Sequence, residues 1–142
     1  MEEEEIQPLI PATINQVKPR PVVLTILCLF SFVYFSVLSF LFFMGSFWSG
    51  WVTQVTNQYS PAEIYSKSQV LITFLAGFTL HLTALTGTVL IWNLKRPGYY
   101  LTGLSCLTIA LYQSIQPQIT VSTTATYIFF LISFGLFYKR LH

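Results

Sequence analysis

The chain alternates long apolar runs with short polar connections. Four apolar runs lie at about residues 22–48, 68–94, 100–116 and 123–138. An α-helix rises 1.5 Å per residue, so about 20 apolar residues cross the hydrocarbon layer of a bilayer. The pattern therefore predicts an all-α integral membrane protein, with four transmembrane helices in an antiparallel up-down bundle.

The second run has an ionisable ring, His81, near its centre. A charge at that depth costs about 2.5 kcal/mol or more, so we expect a neutral imidazole that keeps a hydrogen-bond partner. Small or hydroxyl-bearing residues precede and follow His81 at helical spacing and predict a packing face, because such residues let a second helix approach closely. This face consists of Thr73, Gly77, His81, Ala84 and Thr88.

Polar residues of other runs are candidate neighbours of His81. Tyr34 lies near the middle of the first run, and a buried phenol also needs a hydrogen bond, although a backbone carbonyl could supply it. Thr108 lies in the third run at a depth close to that of His81, with Tyr112 and Gln113 further along. These residues form a predicted intramembrane polar cluster, in which His81 has either a structural role or a role in proton movement.

Residues 1–20 are predicted to be a flexible cytoplasmic tail. Residues Glu2–Glu5 repel one another, and the prolines of this segment disfavour a helix. Glu5, Leu9 and Ile10 match the acidic dileucine pattern that eukaryotic sorting adaptors read, a short pattern that also arises by chance. Residues 21–142 are predicted to form the four-helix transmembrane domain.

The connections contain helix-start and helix-stop signals. Residues Ser60–Glu63 read Ser-Pro-Ala-Glu, a capping box with proline at the first helical position, so the second helix is expected to begin near Pro61. Trp48 and Trp51 are expected at a membrane interface. Residues Lys95–Gly98 predict a tight basic turn that makes the second and third spans antiparallel neighbours.

Basic residues predict the orientation of the chain, because cytoplasmic loops are enriched in lysine and arginine. With four spans, one side carries Lys67 alone. The other side carries six basic residues: Lys18, Arg20, Lys95, Arg96, Lys139 and Arg140. Both termini are therefore expected in the cytoplasm. The Lys95-Arg96 and Lys139-Arg140 pairs could also attract anionic headgroups.

Composition agrees with a membrane protein. The 142 residues are 54% hydrophobic and only 8% charged, with a mean hydropathy of +0.63, whereas soluble domains carry about 25% charged residues. The net charge of +2 is too small to indicate a nucleic-acid partner. Cys28 and Cys106 show no metal-binding or redox spacing and are expected to be buried small side chains.

The sequence offers little material for catalysis. It has no aspartate, and its five glutamates lie at positions 2–5 and 63, outside the apolar runs. We therefore expect no catalytic residue, no cofactor and no metal site. The leading hypothesis is a non-enzymatic structural or accessory subunit that acts by helix–helix association in the lipid bilayer, as a homo-oligomer or with other membrane subunits. The alternative is a small oligomeric transporter or channel with a polar route around His81.

Three stretches together resemble a group of small four-span bacterial inner-membrane proteins of unassigned function. They are Lys18–Pro21 (KPRP), Leu24–Cys28 (LTILC) and Lys95–Tyr100 (KRPGYY). The resemblance lies mostly in topology signals and would cover most of the chain. The resemblance implies a four-helix membrane bundle in a bacterial plasma membrane and carries no catalytic residues over to this chain.

Overall fold

The computed structural model describes residues 21–59, 64–115 and 121–141, and these ranges fold into helices. The elements are α1 (Val22–Phe47), α2 (Ser49–Tyr59), α3 (Lys67–Trp92), α4 (Arg96–Ile115), α5 (Val121–Leu136) and a short 3₁₀ turn (Tyr138–Arg140). The predicted all-α class is confirmed for the described residues.

Two of the described helices are long and apolar enough to cross a membrane. These are α1, with a mean hydropathy of 2.4 over its best window, and α3, with 1.7. The apolar part of α5, Thr123–Leu136, is shorter, and α4 is not among the candidate spans. The structure thus supports the helical class and two possible spans.

Helix α3 lies between α1 and α4, and α5 packs against α4. Ring contacts show that α1 and α3 run antiparallel, because Phe32 meets Trp92 whereas Phe42, further along α1, meets Phe74, which is earlier in α3. Helices α1 and α5 also touch through aromatic rings, including those of Phe35 and Phe130. The core therefore lies where α1, α3, α4 and α5 converge.

Helices α3 and α4 cross at very close range. A methyl group at Gly98 would lie 2.5 Å from the Gly87 carbonyl oxygen and 2.6 Å from the Ile91 nitrogen, and a methyl at Gly87 would collide with Thr102. The Thr102 hydroxyl donates a hydrogen bond across this contact to the carbonyl of Ala84, at 3.3 Å. Small side chains thus let the two backbones meet.

The start of α3 differs from the prediction. Residues 64–66 are not helical, and α3 begins at Lys67, so the expected helix start near Pro61 is wrong. A capping box exists, but it joins Ser66 and Gln69: the Ser66 hydroxyl accepts from the Gln69 N–H and the Gln69 side chain accepts from the Ser66 N–H. The predicted box at residues 60–63 lies outside the described residues.

The turn between α3 and α4 comes earlier than expected. It spans Asn93 to Lys95, with Leu94 in the left-handed region at φ 57°. The Lys95 N–H bonds to the Leu90 carbonyl and the Leu94 N–H to the Ile91 carbonyl, the two bonds of a Schellman cap. Arg96, Pro97 and Gly98 already belong to the first turn of α4, where proline needs no N–H partner.

The connection after α1 contains a helix that the hydrophobic pattern does not reveal. Helix α2 occupies residues 49–59 and packs near the start of α3. The Asn57 side chain holds it there, since its amide donates to the Tyr65 carbonyl at 3.0 Å and its oxygen accepts from the Tyr65 N–H at 2.9 Å. Trp48 and Trp51 lie beside this region with about two thirds of their surface exposed.

Candidate functional site

The buried imidazole of His81 is hydrogen-bonded at both ring nitrogens. Nδ1 lies 2.6 Å from the Gly77 carbonyl oxygen, one turn earlier in α3. Nε2 lies 2.8 Å from the Tyr127 hydroxyl of α5. The side chain is only 2% exposed, so the ring hardly reaches the protein surface, and these two bonds satisfy both of its nitrogens.

The partners fix the direction of the hydrogen bonds. A carbonyl oxygen can only accept, so the Nδ1 nitrogen carries the proton and donates it to Gly77. In the neutral ring Nε2 is then an acceptor, and Tyr127 donates to it. The Tyr127 oxygen keeps lone pairs for the hydroxyl of Tyr34, to which it is also hydrogen-bonded. The polar chain runs from Tyr34 through Tyr127 to His81.

Aromatic rings enclose this polar chain. Phe42 stacks on the imidazole with a centroid distance of 4.9 Å and an interplanar angle of 23°. Phe35 lies 6.3 Å from the same ring and is fully buried. Phe130 of α5 packs on Tyr34 at 5.5 Å. Because low polarity strengthens hydrogen bonds and penalises unpaired polar groups, the enclosed chain ties α1, α3 and α5 together.

The side chain that bonds His81 is not the candidate Tyr34. Tyr34 does not bond the imidazole directly; Tyr127 stands between them. Tyr34 is half-buried, and its ring lies 5.9 Å from that of Tyr127. The expectation that His81 faces protein and keeps a hydrogen-bond partner agrees with this geometry, and the partner is Tyr127 rather than the candidate Tyr34.

The other members of the predicted polar cluster lie elsewhere. The Thr108 side chain is exposed, and its hydroxyl donates to the Leu104 carbonyl of its own helix. Tyr112 is 47% exposed. Gln113 is half-buried near the end of α4, where its oxygen accepts from the Thr124 hydroxyl of α5. The described residues therefore contain no continuous polar route from His81 through these side chains.

The predicted packing face on α3 divides between two neighbours. Gly77 packs against the Phe42 ring of α1. Ala84 and Thr88 are buried, and the Ala84 carbonyl accepts the bond from α4. Thr73 is exposed, and its hydroxyl returns to the Gln69 carbonyl. Helix rotation therefore brings Thr73 to the surface, while the rest of the face contacts protein.

Sequence reasoning missed Tyr127 because the candidate neighbours of His81 came from the first and third apolar runs and not from the fourth. At 1.5 Å per residue, His81 lies about 16 Å from the C-terminal end of α3, and Tyr127 lies about 14 Å from the C-terminal end of α5. Tyr127 is also the one tyrosine within the central part of the fourth apolar run. This signal could have identified it as a second candidate at the depth of His81.

A shallow groove opens on the outer surface between α1 and α3. Its volume is about 370 Å³, and it is almost wholly apolar. Ser39 at its floor is buried, whereas Ser36 and Phe40 are exposed. The lining residues are Ser36, Ser39, Phe40, Phe43, Phe78 and Leu85. The groove has room for an apolar side chain or acyl segment and contains no charged residue.

The Glu5, Leu9 and Ile10 sorting pattern lies outside the described residues.

No protein-family model, curated protein or solved structure matches the chain. The resemblance to small bacterial inner-membrane proteins thus stays an expectation from sequence.

Proposed function

We propose that the chain is a four-span integral membrane protein that acts by helix association rather than by converting a substrate. One observation carries this proposal: the buried polar side chains are hydrogen-bonded, some within their own helix and others, such as His81 and Thr102, across helices. Among the described residues, no buried side-chain nitrogen or oxygen atom lacks a hydrogen-bond partner. In this part of the chain the interior polar side chains thus hold the helices together, and none of the buried ones is left without a partner.

The outer surface supports a lipid environment. Val23, Phe30, Val33 and Phe40 of α1 are each at least 60% exposed, and α5 exposes Phe129 and other apolar residues in the same way. Soluble monomers rarely expose contiguous apolar patches larger than a few hundred Å². Lipid tails can cover such a surface because they are apolar themselves. Helices α1 and α3 are also long and apolar enough to cross a bilayer.

In the proposed topology both termini face the cytoplasm. The bond between the Arg96 side chain and the Leu141 carbonyl supports it, because it joins the start of α4 to the residues after α5. The Lys95-Arg96 and Lys139-Arg140 pairs thus share one end, as the positive-inside rule requires. A bacterial plasma membrane is the proposed location on the sequence resemblance alone.

The His81 environment supports a structural role for this residue. Both ring nitrogens are engaged, so binding a ligand or passing a proton there would require breaking a buried bond. The rival proposal, an oligomeric transporter or channel, would need a route built between copies, since Thr108 and Tyr112 lie on the outer surface of α4. Equal pH-dependent flux for wild type and His81→Ala in liposomes would show that His81 takes no part in any such route.

The association proposal is tested by the size of the purified protein. After extraction in mild detergent, we expect light scattering to give a mass above that of one 16.2 kDa chain, or a membrane protein that co-purifies. Ser36→Cys, in the groove, tests for a second copy by disulfide crosslinking in native membranes. The wild-type chain is the control, because its two cysteines are buried. A monodisperse monomer with no co-purifying protein would contradict the proposal.

A further inference from the structure

The two basic pairs, far apart in sequence, meet at one end of the bundle. The Arg96 Nε–H donates to the Leu141 carbonyl at 3.0 Å, a contact between residues 45 positions apart. Leu141 is 1% exposed and anchors the segment that carries Lys139 and Arg140. The side chains of all four basic residues, Lys95 included, are exposed. They form a basic cluster, defined as Lys95, Arg96, Lys139 and Arg140.

The guanidinium of Arg96 is held in place before any ligand arrives. Its Nε–H is committed to Leu141, which leaves the four N–H groups of the two terminal nitrogens as donors. Its central carbon lies 6.0 Å from the centroid of the Tyr138 ring. An arginine fixed in this way presents a planar fork, which matches the oxygens of a phosphate.

Tyrosines surround the cluster and order the segment. The hydroxyls of Tyr100 and Tyr138 are 2.6 Å apart, and the Tyr99 ring packs on Tyr138 at 5.3 Å. Tyr100 is 60% exposed. Tyrosine rings with one apolar and one polar end collect at the headgroup level of membranes. The cluster therefore combines phosphate-binding donors with the side chains of an interface.

The cations have no acidic partner within the described residues, because the five glutamates of the chain are at positions 2–5 and 63. We propose that the basic cluster binds the phosphodiester headgroup of an anionic phospholipid, with Arg96 as its central contact. The inference rests on the proposed membrane placement. A topology signal alone requires positive charge on this side, but it does not require an arginine fixed by Leu141 and Tyr138.

The experiment measures lipid selectivity of the full chain by native mass spectrometry. Phosphatidylglycerol and phosphatidylcholine compete for the protein released from mixed micelles, and inorganic phosphate is added in a separate arm. We expect preferential retention of phosphatidylglycerol. Arg96→Gln should weaken this preference by about tenfold, which corresponds to the loss of one charge-assisted hydrogen bond. Retention of phosphatidylglycerol should persist when inorganic phosphate is added.

Matched variants separate geometry from charge. Lys67→Gln removes the same charge from an exposed lysine at the opposite end of α3 and should leave the preference unchanged. Arg96→Lys keeps the charge but lacks the fork, so it should weaken binding, and Arg140→Gln gives a second loss within the cluster. Because both lipids are compared on the same folded protein, a loss of stability does not imitate a loss of selectivity.

Three outcomes would overturn the inference. They are equal retention of the two lipids, an equal loss in Lys67→Gln and Arg96→Gln, and displacement of the lipid by inorganic phosphate, which would indicate a site for free anions. The membrane proposal itself is checked separately by incorporation into nanodiscs. A chain that incorporates without lipid selectivity contradicts only the headgroup site, and one that does not incorporate contradicts both.

Discussion

The Tyr127 hydroxyl donates a hydrogen bond to Nε2 of His81 at 2.8 Å, across 46 residues of chain. This bond joins α5 to α3, the helix at the centre of the bundle. The Gly77 carbonyl at Nδ1 sets its direction, and the Phe42 ring covers the imidazole. The contact is therefore a specific polar link inside an apolar interior, and its removal gives the most direct test of the packing.

Tyr127→Phe should lower the free energy of unfolding by about 1–2 kcal/mol, because it leaves Nε2 of His81 buried without a donor. The measurement is reversible unfolding in detergent micelles followed by circular dichroism. Tyr59→Phe is the matched control, since Tyr59 is 80% exposed and should respond little. Equal effects of the two substitutions would show that the buried bond contributes nothing specific.

His81→Leu should insert into membranes as well as wild type, because leucine is more apolar, but should reduce stability by leaving the Tyr127 hydroxyl without its acceptor. In the double variant His81→Leu/Tyr127→Phe neither polar partner remains. Its stability should therefore exceed the additive expectation, with a coupling of about 0.6–1.7 kcal/mol in a double-mutant cycle. Strict additivity would mean that the two side chains do not interact.

Gly98→Ala should separate α3 from α4, since the new methyl would meet the backbone of Gly87 and Ile91. Overpacking of this kind costs about 1–3 kcal/mol. Gly103→Ala in the same helix is the control, because its methyl would meet only the flexible Leu131 side chain, at 3.2 Å. The thermal unfolding midpoints of both variants in one detergent give the comparison; a larger loss for Gly103→Ala would refute the close crossing.

Asn57→Ala should loosen α2 without unfolding the bundle, because both bonds that hold α2 to Tyr65 pass through this side chain. Hydrogen exchange followed by mass spectrometry should be faster in peptides covering residues 49–59 and unchanged in α4. The exposed neighbour Gln58, replaced by alanine, should leave the exchange as in wild type. Unaltered exchange in Asn57→Ala would show that the Asn57 side chain does not hold α2 in place.

The proposed orientation predicts which cysteines a membrane-impermeant maleimide reaches in intact cells. Lys67→Cys should react from outside, whereas Lys95→Cys should react only after permeabilisation, because the two lysines flank opposite ends of α3. Both side chains are exposed, and the native cysteines are buried. The reverse labelling pattern would invert the topology.

Local signals in the connections were predicted unevenly. A capping box was expected before the second apolar run, but the structure uses Ser66 and Gln69, six residues later than the expected pair. Several segments of a sequence can satisfy a short capping pattern, and packing selects among them. Helix α2 was missed because it is short and its stability comes from contacts with α3 and Tyr65, not from an apolar run of its own.

The sequence by itself indicated where the long helices lie and how far along its helix each residue is, because apolar length and the rise per residue are local properties. It therefore placed His81 deep in an apolar run and indicated that the ring needs a partner. Only the tertiary structure decided which partner it has. The rotation of each helix about its axis depends on packing against all neighbours at once, so Tyr127 faces His81 while Thr108, at a similar depth, faces outward.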